Sequence, residues 1–293
     1  MSTTAGKTVV VGVDGSDSSL NAVRTAAAEA ARRGRTLHVV HAFVWPMLRV
    51  PVGPPPGGPA EGGLRNQAER VLADAVTQAE AAAPGITVTG RIVEGQPAAV
   101  LLGQSRDADL LVLGDRGLGG FAGLLVGSVA IQVAEYAQCP VLITRGAPRT
   151  TGPVVVGVDG STRSAVAVAF AAEEAVLRGV ELVAVHTYRQ PTSLGPGDML
   201  PLVYDVEALR VEEGQVLAEA VAGLADRYPD LRVVQRLVQG RAASTLIEES
   251  ATAQLVVVGA RGRGGFTGLL LGSVSQSVLH HGDCPVVIVR HQN

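Results

Sequence analysis

Short runs in which nearly every position is apolar alternate along this chain with longer stretches where Ala, Val and Leu recur every three or four residues among charged ones. A run apolar on both faces suits a strand buried inside a parallel sheet, and the three-to-four spacing suits a helix laid upon it. Residues 8–13 form the first such strand and run straight into Asp14 and Gly15. The Ala-rich stretch 20–33 is the helix after it, with Ser16 to Ser19 placed to cap its start and Gly34 to end it. The same pattern predicts strands at 37–42, 87–93, 109–113 and 141–144, and helices at 64–83, 97–105 and from Ser128. It then begins again, with strands at 154–158, 182–186, 232–238, 254–258 and 286–289 and helices at 164–178, 206–227, 242–250 and from Ser273. Strands alternating with helices in this way call for right-handed crossovers and an open sheet. The expectation is an α/β chain of two tandem flavodoxin-like or Rossmann-like five-stranded parallel sheets, order 3-2-1-4-5, with helices on both faces. Domains at 1–146 and 153–293 would be joined by a short Pro, Thr and Gly linker.

The second series repeats the first at a fixed offset of 145 residues. Val-Val-Val-Gly-Val-Asp-Gly-Ser occurs intact twice, ending at Ser16 and Ser161. Gly114 and Gly117, then nine residues, then Gly127-Ser128 reappear as Gly259, Gly262 and Gly272-Ser273. Glycines before a helix let the backbone wrap an anion, and the N–H groups and dipole of the following helix converge on it. The plainer alternative is that they serve tight turns and helix-on-sheet packing. In an open α/β sheet, ligands sit at the carboxyl ends of the strands where the winding reverses, here the first and fourth. Asp14 and Asp159 stand at that reversal, either to hold a ribose hydroxyl or a hydrated Mg²⁺, or to cap the next helix.

Composition narrows the chemistry. A formal charge of −3 and scattered arginines give no field for nucleic acid. Lys7 is the only lysine, and it precedes the first strand, so no lysine-bearing phosphate loop exists. Residues 117–122 match G-x-G-x-x-A but follow the wrong strand for a dinucleotide fingerprint. His41 and His186 share a strand end with no catalytic or metal-ligand spacing around them and read as hydrogen-bonded structural residues, and His280-His281 as a helix end. Cys139 and Cys284, each before Pro-Val, read as small buried residues rather than a redox pair. Without a signal-like start or a membrane-length apolar run, a cytosolic protein with no membrane insertion is expected.

With Val-Gly-Val-Asp-Gly-Ser on the first strand, the doubled G-x2-G-x9-G-S loop and Cys-Pro-Val before the last, the chain resembles tandem universal stress proteins of the ATP-binding type over nearly its whole length. The resemblance implies ATP, with Mg, in each half and a regulatory role in stress or growth. It implies that Gly12, Asp14, the backbone of Ala42, Gly114, Asp115, Arg116, Gly117, Leu118, Gly119, Gly120, Gly127, Ser128 and Val129 surround the first nucleotide. Gly157, Asp159, Thr187, Gly259, Ala260, Arg261, Gly262, Arg263, Gly264, Gly265, Gly272, Ser273 and Val274 would surround the second. It further implies a homodimer or internal pair formed through the final, edge-like strands.

The motifs leave three functions open. The leading one is a nucleotide-dependent switch acting on a protein partner, because no catalytic residue is evident beside the loops. The others are a slow Mg-dependent ATPase or nucleotidyl-transfer enzyme, and a nucleotide-independent dimeric scaffold. The Pro- and Gly-rich segment 50–63 and its less Pro-rich counterpart 190–202 read as solvated spacers, or else as lids or partner surfaces.

Overall fold

The structure, a computed structural model, describes residues 8–44, 63–119, 125–146, 149–189, 205–263 and 270–290. They divide into two compact units, one ending at Arg145 and the other beginning at Gly146. The first runs β1 (Thr8–Val13), α1 (Asp17–Arg33), β2 (Leu37–Phe43), α2 (Leu64–Ala82), β3 (Val88–Glu94), α3 (Pro97–Gln104), β4 (Ala108–Gly114), α4 (Ser128–Tyr136) and β5 (Val141–Thr144). Parallel pairing of β3 with β2, β2 with β1, β1 with β4 and β4 with β5 gives the order 3-2-1-4-5. Val9, Val10 and Val11 are successive residues, so they point to alternate faces, and none is more than 2% exposed. Both faces of β1 are therefore covered: α1 packs with α2, and α3 packs with α4.

The second unit runs β6 (Val154–Val158), α5 (Thr162–Arg178), β7 (Leu182–Tyr188), α6 (Val206–Val221), α7 (Leu224–Arg227), β8 (Val233–Gln239), α8 (Ala242–Ser250), β9 (Leu255–Gly259), α9 (Ser273–His281) and β10 (Val286–Val289). Its sheet has the same topology, β8-β7-β6-β9-β10, all parallel. The fold is the α/β arrangement the hydrophobic pattern predicts.

Two local outcomes refine that pattern. Ser16 and Ser161 cap α1 and α5 by accepting the N–H of Ser19 and Ser164, and Gly34 and Gly179 end those helices in the left-handed region. The helix expected over 206–227 is instead two: α6 stops at Val221, and Gly223, at φ +78, turns the chain before α7. Left-handed backbone suits glycine, and the Ala-rich surroundings hid that stop signal in the sequence. Cys139 and Cys284 are buried and form no disulfide.

The described residues of the linker, Gly146 and Arg149 to Gly152, are seated on the second unit. Gly146 (φ +63) and Gly152 (φ +106) lie so close to the carbonyls of Asp283 and Thr252 that no Cβ fits at either. Between them, an Arg149 Nη donates to the carbonyls of Ser250 at 2.9 Å, Ala253 at 3.4 Å and Asp283 at 3.5 Å.

Candidate functional site

The crossing from β4 to α4 is clamped at its base. Gly127 N–H donates to the Asp115 carbonyl at 2.7 Å, and in the second unit Gly272 N–H donates to the Ala260 carbonyl at 2.8 Å. A second clamp comes from β1. Asp14 accepts the N–H of Ser16 at 3.0 Å and its hydroxyl at 2.6 Å on one oxygen, and the N–H of Leu118 at 2.8 Å on the other. Asp159 repeats this with Ser161 and with the Arg263 N–H at 2.8 Å. The helix-cap alternative for these aspartates is thus corrected: Ser16 and Ser161 cap the helices, and the aspartates tie the end of strand one to the glycine loop.

Burial raises the Asp14 and Asp159 carboxyls, but the hydrogen bonds from Ser16 and Leu118, and from Ser161 and Arg263, outweigh it and hold both below their ordinary value of 3.8. A carboxyl lowered in the folded state binds fewer protons than in the unfolded chain. Its stabilisation is present above that ordinary value and is lost as pH falls through the lowered one. Replacing both by Asn is therefore expected to flatten the loss of stability below about pH 4, measured by urea unfolding across an acid series. An unchanged acid slope would remove these groups from the account.

In the second unit Gly157, Asp159, Thr187, Gly259, Arg261, Gly262, Arg263, Gly272, Ser273 and Val274 line one cavity of about 450 Å³. Ala260 lies between these residues, and Gly120, Gly264 and Gly265 fall outside the described residues. The cavity wall also includes Ser164, Ala242, Leu246, Leu271 and Ser275, which the sequence reading missed. Ser275 had a visible signal, being the second serine of Gly-Ser-Val-Ser; its hydroxyl donates to the Gly259 carbonyl at 2.7 Å. Leu246 had none, since an apolar residue on α8 looks like ordinary core.

In the first unit Asp14, Gly114, Asp115, Arg116, Gly117 and Leu118 gather at the ends of β1 and β4. Gly119 is exposed beyond them, Ala42 lies near the end of β2, and Ser128 and Val129 open α4. Ser18, also missed, donates its hydroxyl to Asp115 at 2.7 Å. In the second unit a larger depression of about 750 Å³ lies at the opposite, amino ends of β6, β7 and β8.

The glycines sort by what a Cβ would meet. At Gly12 it would crowd Leu101 and Leu113, and at Gly157 it would crowd Leu246, so these two are needed for packing. At Gly117 and Gly262 it would run into the Asp14 and Asp159 carboxylates. Gly127 and Gly272 differ. Their φ of −71° and −74° suit any residue, and a Cβ would sit at ordinary contact distances of 3.5 Å or more. Both are N-cap residues that make no side-chain cap.

His41 and His186 bond through Nδ1 to the carbonyls of Val13 and Val158, at 2.9 and 2.7 Å, joining strand two to the end of strand one. That is the structural role the sequence assigned. His186 also meets Glu213 of α6 through Nε2 at 2.6 Å; the first unit has Ala68 at the corresponding place.

Each half is a doubly wound parallel sheet with a glycine-spaced crossing and a helix N-terminus at the strand reversal, the class of α/β protein that seats ligands at that reversal. The chain belongs to the universal stress protein family, whose model matches residues 6–145 and again 150–290. Universal stress protein Rv2005c of Mycobacterium tuberculosis is 39% identical over 96% of both chains. A universal stress protein from Archaeoglobus fulgidus shares the fold at a TM-score of 0.68, with 22% identity over 97% of this chain and 98% of its own. A universal stress protein solved in complex with cAMP is 34% identical and covers 47% of this chain and 97% of its own, with a TM-score of 0.37. No helix among the described residues is long and apolar enough to cross a membrane.

Proposed function

We propose that each half binds an adenine nucleotide, ATP first among them, and that the protein acts in the cytosol as a nucleotide-dependent regulator of a stress or growth response. The observation that carries this reading is Gly127 with its twin Gly272. Serine is a far better N-cap than most residues and fits this backbone, as α1 and α5 demonstrate. Nothing in the protein's own packing requires glycine there. Its presence in both copies makes sense if a phosphate approaches the N–H groups that a capping side chain would cover.

The aspartates fit a positioning role rather than a metal cage, because their oxygens already accept from the protein's own donors. Among the described residues no group of three His, Cys, Asp or Glu stands close enough to hold a metal. A Mg²⁺ ion would therefore arrive on the nucleotide's phosphates. The commitment of both aspartates to the protein's own donors favours a switch whose output is a bound partner over an ATPase.

Gly127→Ser with Gly272→Ser tests the reading, because the two roles predict opposite signs. A new cap is expected to leave stability unchanged or raise it by a few tenths of a kcal/mol. ATP affinity, measured by calorimetric titration, is expected to fall at least about tenfold, or 1.4 kcal/mol. Unchanged affinity, or a wild-type chain that retains no adenine nucleotide, would overturn it.

A further inference from the structure

The two copies keep the same loop but not the same charge. At corresponding positions the first unit has Ser18, Asp115 and Leu118 where the second has Arg163, Ala260 and Arg263. Around the first crossing stand two carboxylates, Asp14 and Asp115, against one guanidinium, Arg116. Around the second stands one carboxylate, Asp159, against the guanidinium groups of Arg261 and Arg263, with the backbone of Arg163 beside Gly259.

The geometry makes these differences local. The Asp115 side chain is only 17% exposed, accepts from Ser18 at 2.7 Å and lies 3.7 Å from Arg116 Nε, so it partly cancels the one nearby cation. Its carbonyl is the one that clamps Gly127 at the start of α4. In the second unit Arg261 and Arg263 line the cavity itself. The Arg263 guanidinium lies over Gly160, where a Cβ would strike it, while its N–H holds Asp159. Leu118, its counterpart, is 70% exposed and brings no charge. Glu213 stands outside this lining, its carboxylate hydrogen-bonded to His186 Nε2.

Resting on the nucleotide reading above, we propose that the two sites are matched to different phosphate charge: the second takes a nucleoside triphosphate, and the first a nucleoside monophosphate. A triphosphate gains from each added guanidinium and loses to each added carboxylate. A monophosphate needs only the backbone donors that both loops supply. The chain would thus hold a high-charge and a low-charge adenine nucleotide side by side and respond to their ratio.

The test uses the full chain with one site disabled at a time, titrated with ATP and with AMP at low and high salt. With Gly127→Ser leaving the second site, ATP is expected to bind on the order of tenfold more tightly than AMP, with a margin that shrinks as salt screens the arginines. With Gly272→Ser leaving the first site, the preference is expected to vanish or reverse. Asp115→Asn, which keeps an acceptor for Ser18, should restore a preference for ATP there, and Arg263→Leu should remove it from the second site. The same ATP to AMP ratio at both sites, unmoved by Asp115→Asn and Arg263→Leu, would overturn the proposal while leaving nucleotide binding intact. A wild-type chain that binds neither probe would overturn the nucleotide reading and this proposal together.

Discussion

Gly114→Ala is expected to destabilise the first half by about 2–3 kcal/mol, while Gly259→Ala, the same substitution at the same motif position in the second half, stays within about 0.5 kcal/mol. A Cβ on Gly114 would stand 2.8 Å from the carbonyl carbon of Ser18 and 2.9 Å from its oxygen. Those are backbone atoms in the first turn of α1, fixed by the Ser16 cap and by the Ser18 to Asp115 hydrogen bond. Relieving the collision means moving the helix start or opening that bond. On Gly259 the nearest atoms, the carbonyls of Arg261 and Arg163, are 3.5 and 3.7 Å away, which is ordinary contact. Denaturant unfolding followed by circular dichroism measures both variants. Equal losses would show that the close approach of Ser18 is not what Gly114 serves.

A still larger loss is expected for Glu174→Ala, about 3–5 kcal/mol. Glu174 is completely buried on α5, with its Oε2 3.0 Å from Nε of Arg178, whose side chain is 8% exposed. Taking the carboxylate away removes the acceptor held 3.0 Å from a mostly buried guanidinium. The double change Glu174→Leu with Arg178→Leu is expected to recover part of the loss, because it removes both charges of this pair. Glu29 occupies the matching place on α1, also fully buried, with Arg32 at 2.9 Å and Arg33 at 3.7 Å. Urea midpoints of the single and double variants decide the matter. A Glu174→Ala chain as stable as wild type would mean that Arg178 finds another acceptor at no cost.

Those glutamates mark the limit of what the chain discloses before it is folded. Apolar runs such as 9–13 and 154–158 announce buried strands because parallel sheets need both faces covered, and the strand order follows from their alternation with helices. The loop glycines and the two aspartates were visible because the duplication repeats them at one spacing. Glu29 and Glu174 were not, since a charged residue on an amphipathic helix ordinarily faces water, and only the packing of α1 and α5 reveals that these do not. The link from Ser18 to Asp115 spans 97 positions and leaves no periodicity to read. Glycine itself is ambiguous. One letter stands for packing at Gly12, for a backbone approach at Gly114 and for open access at Gly127, and only coordinates separate the three.

The way Arg149 sits has a practical bearing on where the duplicated halves begin. A Pro, Thr and Gly stretch looks like slack between modules, which would place the start of the second at Pro153. Yet Arg149 donates to the carbonyls of Ser250 at the end of α8, Ala253 just past it and Asp283 shortly before β10, the first of them one that a helix leaves bare at its carboxyl end. A half transplanted from Pro153 onward would leave its own fastening behind. The seam along which this chain can be divided, recombined or fused lies upstream of Gly146, and what resembles a joint is the opening piece of the second module.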